Sequence, residues 1–352
     1  MRGSWLGILI AVLSPTVGLA DQQQQADDPR VRFLGFGDLN YIATELADRP
    51  EGFRIGQMVG HVIADIDDRL TFFSEVSLTA KDNGYSIGVE RVAVQYDFSD
   101  ALRVSAGRFH TPVGYWNTAF HHGSWLQASV ARPEMIKFGS SFIPTHFVGL
   151  LVEGGLPSNP LGLSYTVGVG NGRANITGAG DAGDVNDQRA WVARVRSRPI
   201  SIPGLELGAS FYADRLESPG GVDANERIYA LHAVLDRDAP EILAEYTHVT
   251  HDPVAGTGDF PGSDAYYVQF GYRLPGSLAE LTPYARVEQV VVPTTEFVYA
   301  PLTLNYDGII AGVRYDPGLY LALRLEYRWE QFEGLGSTNS LYAQASFVLA
   351  GS

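Results

Sequence analysis

Residues 318–332 alternate. Leu319, Leu321, Leu323, Leu325, Tyr327 and Trp329 share one parity; Ala322, Arg324, Glu326, Arg328 and Glu330 share the other. Successive side chains of a strand point to opposite faces, so such a segment carries one apolar face and one charged face. The same period recurs along the chain. Val92, Val94, Tyr96 and Phe98 oppose Arg91, Ala93 and Gln95, and Ile309, Ala311, Val313 and Tyr315 oppose Gly312 and Arg314. From residue 31 onward the alternation predicts about sixteen strands, most of them near the length at which a tilted strand crosses a bilayer. No stretch shows a convincing helical period.

The connections sort by side. Short ones at 65–69, 97–101, 156–160, 199–204, 236–240, 275–280 and 316–318 are rich in Asp, Pro, Gly and Ser, as tight turns require. They take turns with longer ones at 45–52, 80–85, 110–146, 171–188, 215–226, 250–264, 293–304 and 332–339. A soluble sandwich has no reason to sort its loops by side, whereas a barrel in a membrane does. Tyr96, Phe98, Tyr272 and Tyr315 lie at strand ends, where an interfacial girdle belongs. The expected fold is an all-β transmembrane antiparallel barrel with apolar residues toward lipid and polar ones toward a wet lumen. The competing arrangement buries the same apolar parity between two stacked sheets.

Composition adds three constraints. Residues 1–20 read as an export signal: Arg2, an apolar stretch from Trp5 to Leu13, then Gly18-Leu19-Ala20 at the cleavage point. Residues 21–30 form a polar lead, and 31–349 one barrel domain. The net charge of −15 argues against nucleic-acid binding. Cysteine is absent, so neither disulfides nor thiol chemistry are available. Beyond residue 20 no apolar run is long enough for a transmembrane helix, which leaves a closed barrel as the spanning form.

On the lumen side the pattern places Arg91, Arg103, Arg194, Arg196, Arg286, Arg314, Arg324 and Arg328, with Glu288 and Glu326 among them. Guanidinium groups on a channel wall attract anions, and interspersed carboxylates neutralise part of that field. Such Arg–Glu arrays equally serve to brace the wall, and the pattern does not separate the two roles.

The third connection, 110–146, is the longest. It carries Tyr115, Trp116, Phe120, Trp125, Met135, Phe138 and Phe142, enough apolar surface to pack. Long loops within compact folds are usually functional. This one is expected to fold into the lumen and set its narrowest point, with Arg108, His121, His122, Arg132, Glu134 and Lys137 as its charged or titratable groups. An external cap, or a contact with a neighbouring subunit, is the alternative.

The stretch Ala106-Gly107-Arg108-Phe109-His110-Thr111-Pro112-Val113-Gly114-Tyr115 resembles the signature of the phosphate-selective porin O and P family of Gram-negative outer membranes. Weaker echoes are Val148–Gly155, Leu281–Glu288 and Leu323–Tyr327. The resemblance implies a sixteen-stranded, trimeric porin whose third loop folds inward. It implies anion preference, lipid and lipopolysaccharide as neighbours, and small ions and solutes as cargo. The chain departs from that family in lysine, present only as Lys81 and Lys137, and in its acidic loops (Asp181, Asp184, Asp187, Asp223, Asp252, Asp259 and Asp264).

No catalytic or metal constellation emerges. His248, His251 and Asp252 match no standard ligand spacing, and residues 180–187 lack the order of a calcium loop. His122 and Ser124 lack a placed acid and oxyanion donors. No cofactor is expected. The leading reading is a passive porin. An outer-membrane hydrolase and a closed structural or adhesive barrel are the rivals.

Overall fold

A computed structural model describes residues 30–46, 51–81, 83–120, 124–137, 142–173, 180–181, 183–184, 186–217, 222–255 and 260–351. The expected export signal and nearly all of the polar lead lie outside these residues. The chain forms sixteen strands: β1 Arg30–Thr44, β2 Gly52–Asp65, β3 Leu70–Lys81, β4 Gly84–Ser99, β5 Leu102–His110, β6 His146–Gly155, β7 Leu163–Asn171 and β8 Ala190–Ser197. They continue as β9 Leu205–Leu216, β10 Ala224–Leu235, β11 Glu241–Pro253, β12 Ser263–Gly271, β13 Leu281–Val291, β14 Tyr306–Tyr315, β15 Leu321–Phe332 and β16 Gly336–Gly351. Each pairs antiparallel with its sequence neighbour, and β1 pairs with β16 to close the barrel. Closure leaves no unpaired edge, the condition for crossing lipid with strands.

The orientation is read from β15. Leu323 and Leu325 are 37% and 50% exposed, whereas Arg324 and Glu326 are 3% and 0% exposed. Leu321 and Tyr327 share the outer parity, and Ala322, Arg328 and Glu330 the inner one. The apolar parity therefore faces outward, and the stacked-sheet alternative fails. Phe347, on the same outer face of β16, covers the backbone of Gly37 on β1. A Cβ at Gly37 would sit 2.5 Å from its ring. Residues 348–351 prolong β16 beyond this aromatic, so the last strand is complete.

The loops sort less cleanly than the sequence predicts. The connections expected at 80–85 and 332–339 shrink to residues 82–83 and 333–335, because β4 and β16 begin earlier than their apolar patterns. On the opposite side, residues 272–280 hold a 3-10 turn, Gly276–Leu278. Helix is otherwise limited, among the described residues, to Trp116–Ala119 (α1) and the 3-10 turn Glu134–Ile136, both in the third connection.

A row of glycines crosses β5, β6 and β7 where that connection leaves the wall: Gly107 pairs with Gly149, and Gly149 with Gly170. Gly107 has φ +146°, and a Cβ there would lie 2.0 Å from the Val92 carbonyl oxygen. At Gly149 it would lie 2.2 Å from the Val169 carbonyl oxygen. Here β5 lies this close to β4, and β6 to β7, only because these positions carry no side chain. Arg108 follows within β5, and so belongs to the wall and not to the loop; the signature stretch runs on as strand through His110.

A lipid-facing cation tests the orientation. Leu325→Arg should destabilise the barrel by about 2–4 kcal/mol, measured by reversible denaturant unfolding in lipid vesicles. An unchanged midpoint would contradict an outward Leu325.

Candidate channel constriction

The described residues of the third connection, 111–120, 124–137 and 142–145, lie inside the barrel, where their backbone polar groups must find partners. Its base is closed by Asn117, whose Nδ2 donates to the carbonyls of Thr111 at 2.9 Å and Thr145 at 3.3 Å. Glu245 on β11 accepts the N–H groups of Tyr115 at 2.7 Å and Trp116 at 2.8 Å, and also the Tyr267 hydroxyl at 2.5 Å. Ser210 on β9 accepts the Gly114 N–H at 3.2 Å, and Arg194 on β8 donates to Thr118 Oγ1 at 3.0 Å.

Farther along the loop the wall's charges alternate as donors and acceptors. Arg314 donates to the carbonyls of Trp125 at 2.7 Å and Gln127 at 2.8 Å. Arg324 donates to Gln127 O at 2.6 Å and Ala128 O at 3.0 Å. Glu326 accepts the Val130 N–H at 2.7 Å. Arg286 reaches Ser129 Oγ at 3.0 Å and Ala131 O at 2.9 Å, and Glu288 accepts the Glu134 N–H at 2.7 Å. Hydrogen bonds to charged groups are each worth about 1.5–3 kcal/mol. This row is the main polar attachment of the loop.

The loop's apolar side chains meet a matching wall. Trp116, Met135, Ile136, Phe142 and Ile143 join Val192, Tyr212, Ile228, Leu243, Ala265, Tyr267 and Val290 in one buried cluster inside the barrel. The inner faces of β8 to β13 are therefore largely dry. The uniformly polar lumen expected from the alternation is corrected here. The signal was present in β10, where Ile228, Ala230 and Val234 face inward while Tyr229 and Leu231 face outward. Both parities of that strand are apolar.

The opposite side of the lumen stays open. A cavity of about 330 Å³ lies between the loop and the wall formed by β1 to β3, β15 and β16. Phe120, Ser124, Gln127 and Arg132 face it from the loop; Asp38, Asn40, Arg54, Gln57, Arg328 and Gln344 face it from the wall. Asp38 sits at a register shift between β1 and β2 and accepts from Asn40 Nδ2 at 2.5 Å, from the Gln57 N–H at 3.2 Å and from Ser124 Oγ at 3.3 Å. The last bond ties the loop's far edge to the open wall. Arg54, opposite Asn40 in the register, is exposed in this space and has no hydrogen-bond or ion-pair partner among the described residues.

The sequence-predicted residues thus divide. Arg286, Glu288, Arg314, Arg324 and Glu326 bind the loop, and Arg194 touches it. Arg328 pairs with Glu326 at 2.6 Å, stacks over Tyr342 at 3.7 Å and borders the cavity. Arg91 pairs with Glu75 and lies 4.3 Å over Phe73. Arg103 sits 3.8 Å from Asp97 near the turn after β4, and Arg196 is half-buried on the inner parity of β8. Arg108 bonds Asp181 at 2.5 Å. Among the loop residues, Arg132 borders the cavity, while Glu134 and Lys137 pair with each other. Burial pushes the Glu134 carboxyl up and the Lys137 charge pulls it back, leaving it above the usual range. His121 and His122 lie outside the described residues. Arg54, Asp38 and Glu245 were not anticipated. Arg54 was legible, since it alternates with Phe53 and Ile55.

Neutralising one binder tests the attachment. Arg324→Gln removes the donors to Gln127 and Ala128 and should loosen the loop, giving noisier single-channel current and faster proteolysis of the folded barrel within residues 124–137. Wild-type noise and protection would show that the loop is held by its apolar side alone.

No protein-family model matches the sequence, and a search of curated proteins returns no match. Solved structures do match in fold. The chain is similar to OmpT, an outer membrane protein of Vibrio cholerae solved in trimer form, at 14% identity and a TM-score of 0.62, covering 92% of this chain and 100% of that one. Salmonella typhi OmpF gives 11% identity and a TM-score of 0.63, over 92% and 98% of the two chains. The outer membrane channel DcaP of Acinetobacter baumannii gives 13% identity and a TM-score of 0.58, over 92% and 97%. The fold is that of sixteen-stranded outer-membrane barrels.

Proposed function

We propose that this chain is a porin of a Gram-negative outer membrane, passing small hydrophilic solutes down their gradient without catalysing a reaction. The observation that carries this reading is the division of the lumen. One half is packed solid by the third loop. The other keeps a water-accessible cavity bordered by Asp38, Arg54, Arg132 and Arg328. Lipid and lipopolysaccharide are the expected surroundings, and small ions and solutes the cargo. The trimer form of one structural neighbour supports a homotrimer.

Selectivity follows from which charges face the open half. Arg286, Arg314 and Arg324 direct their guanidinium N–H groups at loop carbonyls. They do not form a ladder of donors for a passing phosphate, and phosphate specificity is no part of this reading. Arg328 is neutralised by Glu326, whereas Arg54 is exposed in the cavity, which supports a modest anion preference. The hydrolase alternative draws no support from Ser124, whose hydroxyl is directed at Asp38.

The test is reversal potential in planar bilayers under a salt gradient. Wild type should conduct and favour the anion, and Arg54→Glu should move the reversal potential toward the cation while leaving the barrel folded. Absence of any conductance would favour a closed structural barrel. An unchanged potential in Arg54→Glu would remove Arg54 from the permeation path.

A further inference from the structure

The dry half of the lumen contains a buried charged cluster that the channel reading does not use. Its centre is His251 on β11, fully buried. Its Nδ1 lies 2.8 Å from Glu296 Oε1, and its Nε2 lies 3.1 Å from Glu226 Oε2. Glu226 stands on β10; Glu296 stands in the connection 292–305 between β13 and β14. Both carboxylates are buried as well.

An ionised carboxylate only accepts hydrogen bonds, and a neutral imidazole has a single N–H. With a carboxylate oxygen at each ring nitrogen, the ring satisfies both contacts only as the imidazolium. The remaining groups around it are fixed. Arg173, from the connection after β7, pairs with Glu226 and donates to the Tyr299 hydroxyl at 2.8 Å. That hydroxyl donates to Glu226 at 3.1 Å, and the Tyr299 ring lies edge-on to His251 at 4.5 Å. Asp214 on β9, one step out, accepts the Arg173 backbone N–H at 2.8 Å and the Tyr212 hydroxyl at 2.9 Å. Phe297 faces His251 on the remaining side.

Glu226 therefore keeps Arg173 and Tyr299 if His251 loses its proton. Among the described residues Glu296 meets no other cation, so a neutral ring, with one N–H for two carboxylates, leaves it without its ion pair. Glu296 also shapes its own loop by accepting the N–H groups of Val298 at 3.2 Å, Tyr299, and Ala300 at 3.3 Å. Tyr299 in turn packs 5.1 Å from Phe142 of the third loop. We propose that protonated His251 is a latch that holds the connection 292–305 down inside the barrel, and that loss of this proton releases that segment from the packed half of the lumen.

The window has two edges. Burial raises the Glu296 carboxyl, but the His251 bond and charge and the backbone N–H groups outweigh it and hold the group below the usual carboxylate range. A depressed carboxylate contributes stability that is present above its unfolded value and lost as pH falls through the lowered one. The latch thus persists well into acid. On the other side it is lost as pH rises past the point at which the clustered imidazolium deprotonates.

The chain has no cysteine, so one can be placed as a reporter. Ala300→Cys, half-buried in the latched segment, is labelled with an impermeant maleimide in vesicles, and its rate is divided by that of the exposed Ser337→Cys to remove the thiol's own pH dependence. Labelling should be slow near neutrality and rise about tenfold on the alkaline side. In a His251→Gln background it should already be fast at neutral pH and no longer respond. Glu296→Gln, a change outside the strands, should do the same should His251→Gln fail to fold. A slow, pH-independent rate, or a wild-type rate in a folded variant, would overturn the latch. The readout needs no conductance, so its failure is separate from failure of the channel reading.

Discussion

Everything inside this barrel depends on one requirement: a long stretch of backbone placed away from bulk water must have its N–H and C=O groups answered. The strands answer their own by closing into a cylinder. The third loop does so only in part, through α1, one 3-10 turn and a few bonds such as those of Asn117 and the Thr111 N–H. The wall supplies more. Arg314, Arg324 and Arg286 offer donors to carbonyls, while Glu245, Glu326 and Glu288 offer acceptors to N–H groups. Charge on the wall is first a means of holding the loop. Asp38, Asn40 and Arg54, on the other side, border the cavity instead.

This arrangement explains why the two halves of the lumen differ. Where the wall presents Ile228, Leu243, Val290 and Tyr267, the loop presents Trp116, Met135 and Ile136, and burial of both drives the contact. Where the wall presents Asp38, Asn40 and Arg54, the loop meets it through polar groups, Ser124 binding Asp38. An apolar contact on one side and a polar one on the other give a partition with a cavity along one edge.

The strands were legible because lipid favours apolar residues along the outer face, which fixes their alternation. The period of Leu321 to Tyr327 separated the two faces, and the sorting of the loops pointed the apolar one outward. The inner face carries no such rule, since water and packed protein both occur there. Reading every inner position as wet therefore missed the dry cluster, although β10 shows apolar residues on both parities. The role of each arginine was not legible for a different reason. Arg324 and Arg54 are the same residue type on the same kind of face; what separates them is the carbonyl of Gln127, nearly two hundred positions away in sequence from Arg324. The inward course of the third loop was expected from its aromatic content and length, whereas its attachment through Glu245 had no local signal.

The shortened connections at residues 82–83 and 333–335 lie on the strands that border the open passage, β3 with β4 and β15 with β16. The longer ones, at 172–189 and 292–305, belong to the strands around the occluded half. On the occluded side Glu296 and Arg173 draw these two longer segments inward, toward His251 and Glu226. Chain length is thus concentrated where an inner partner receives it.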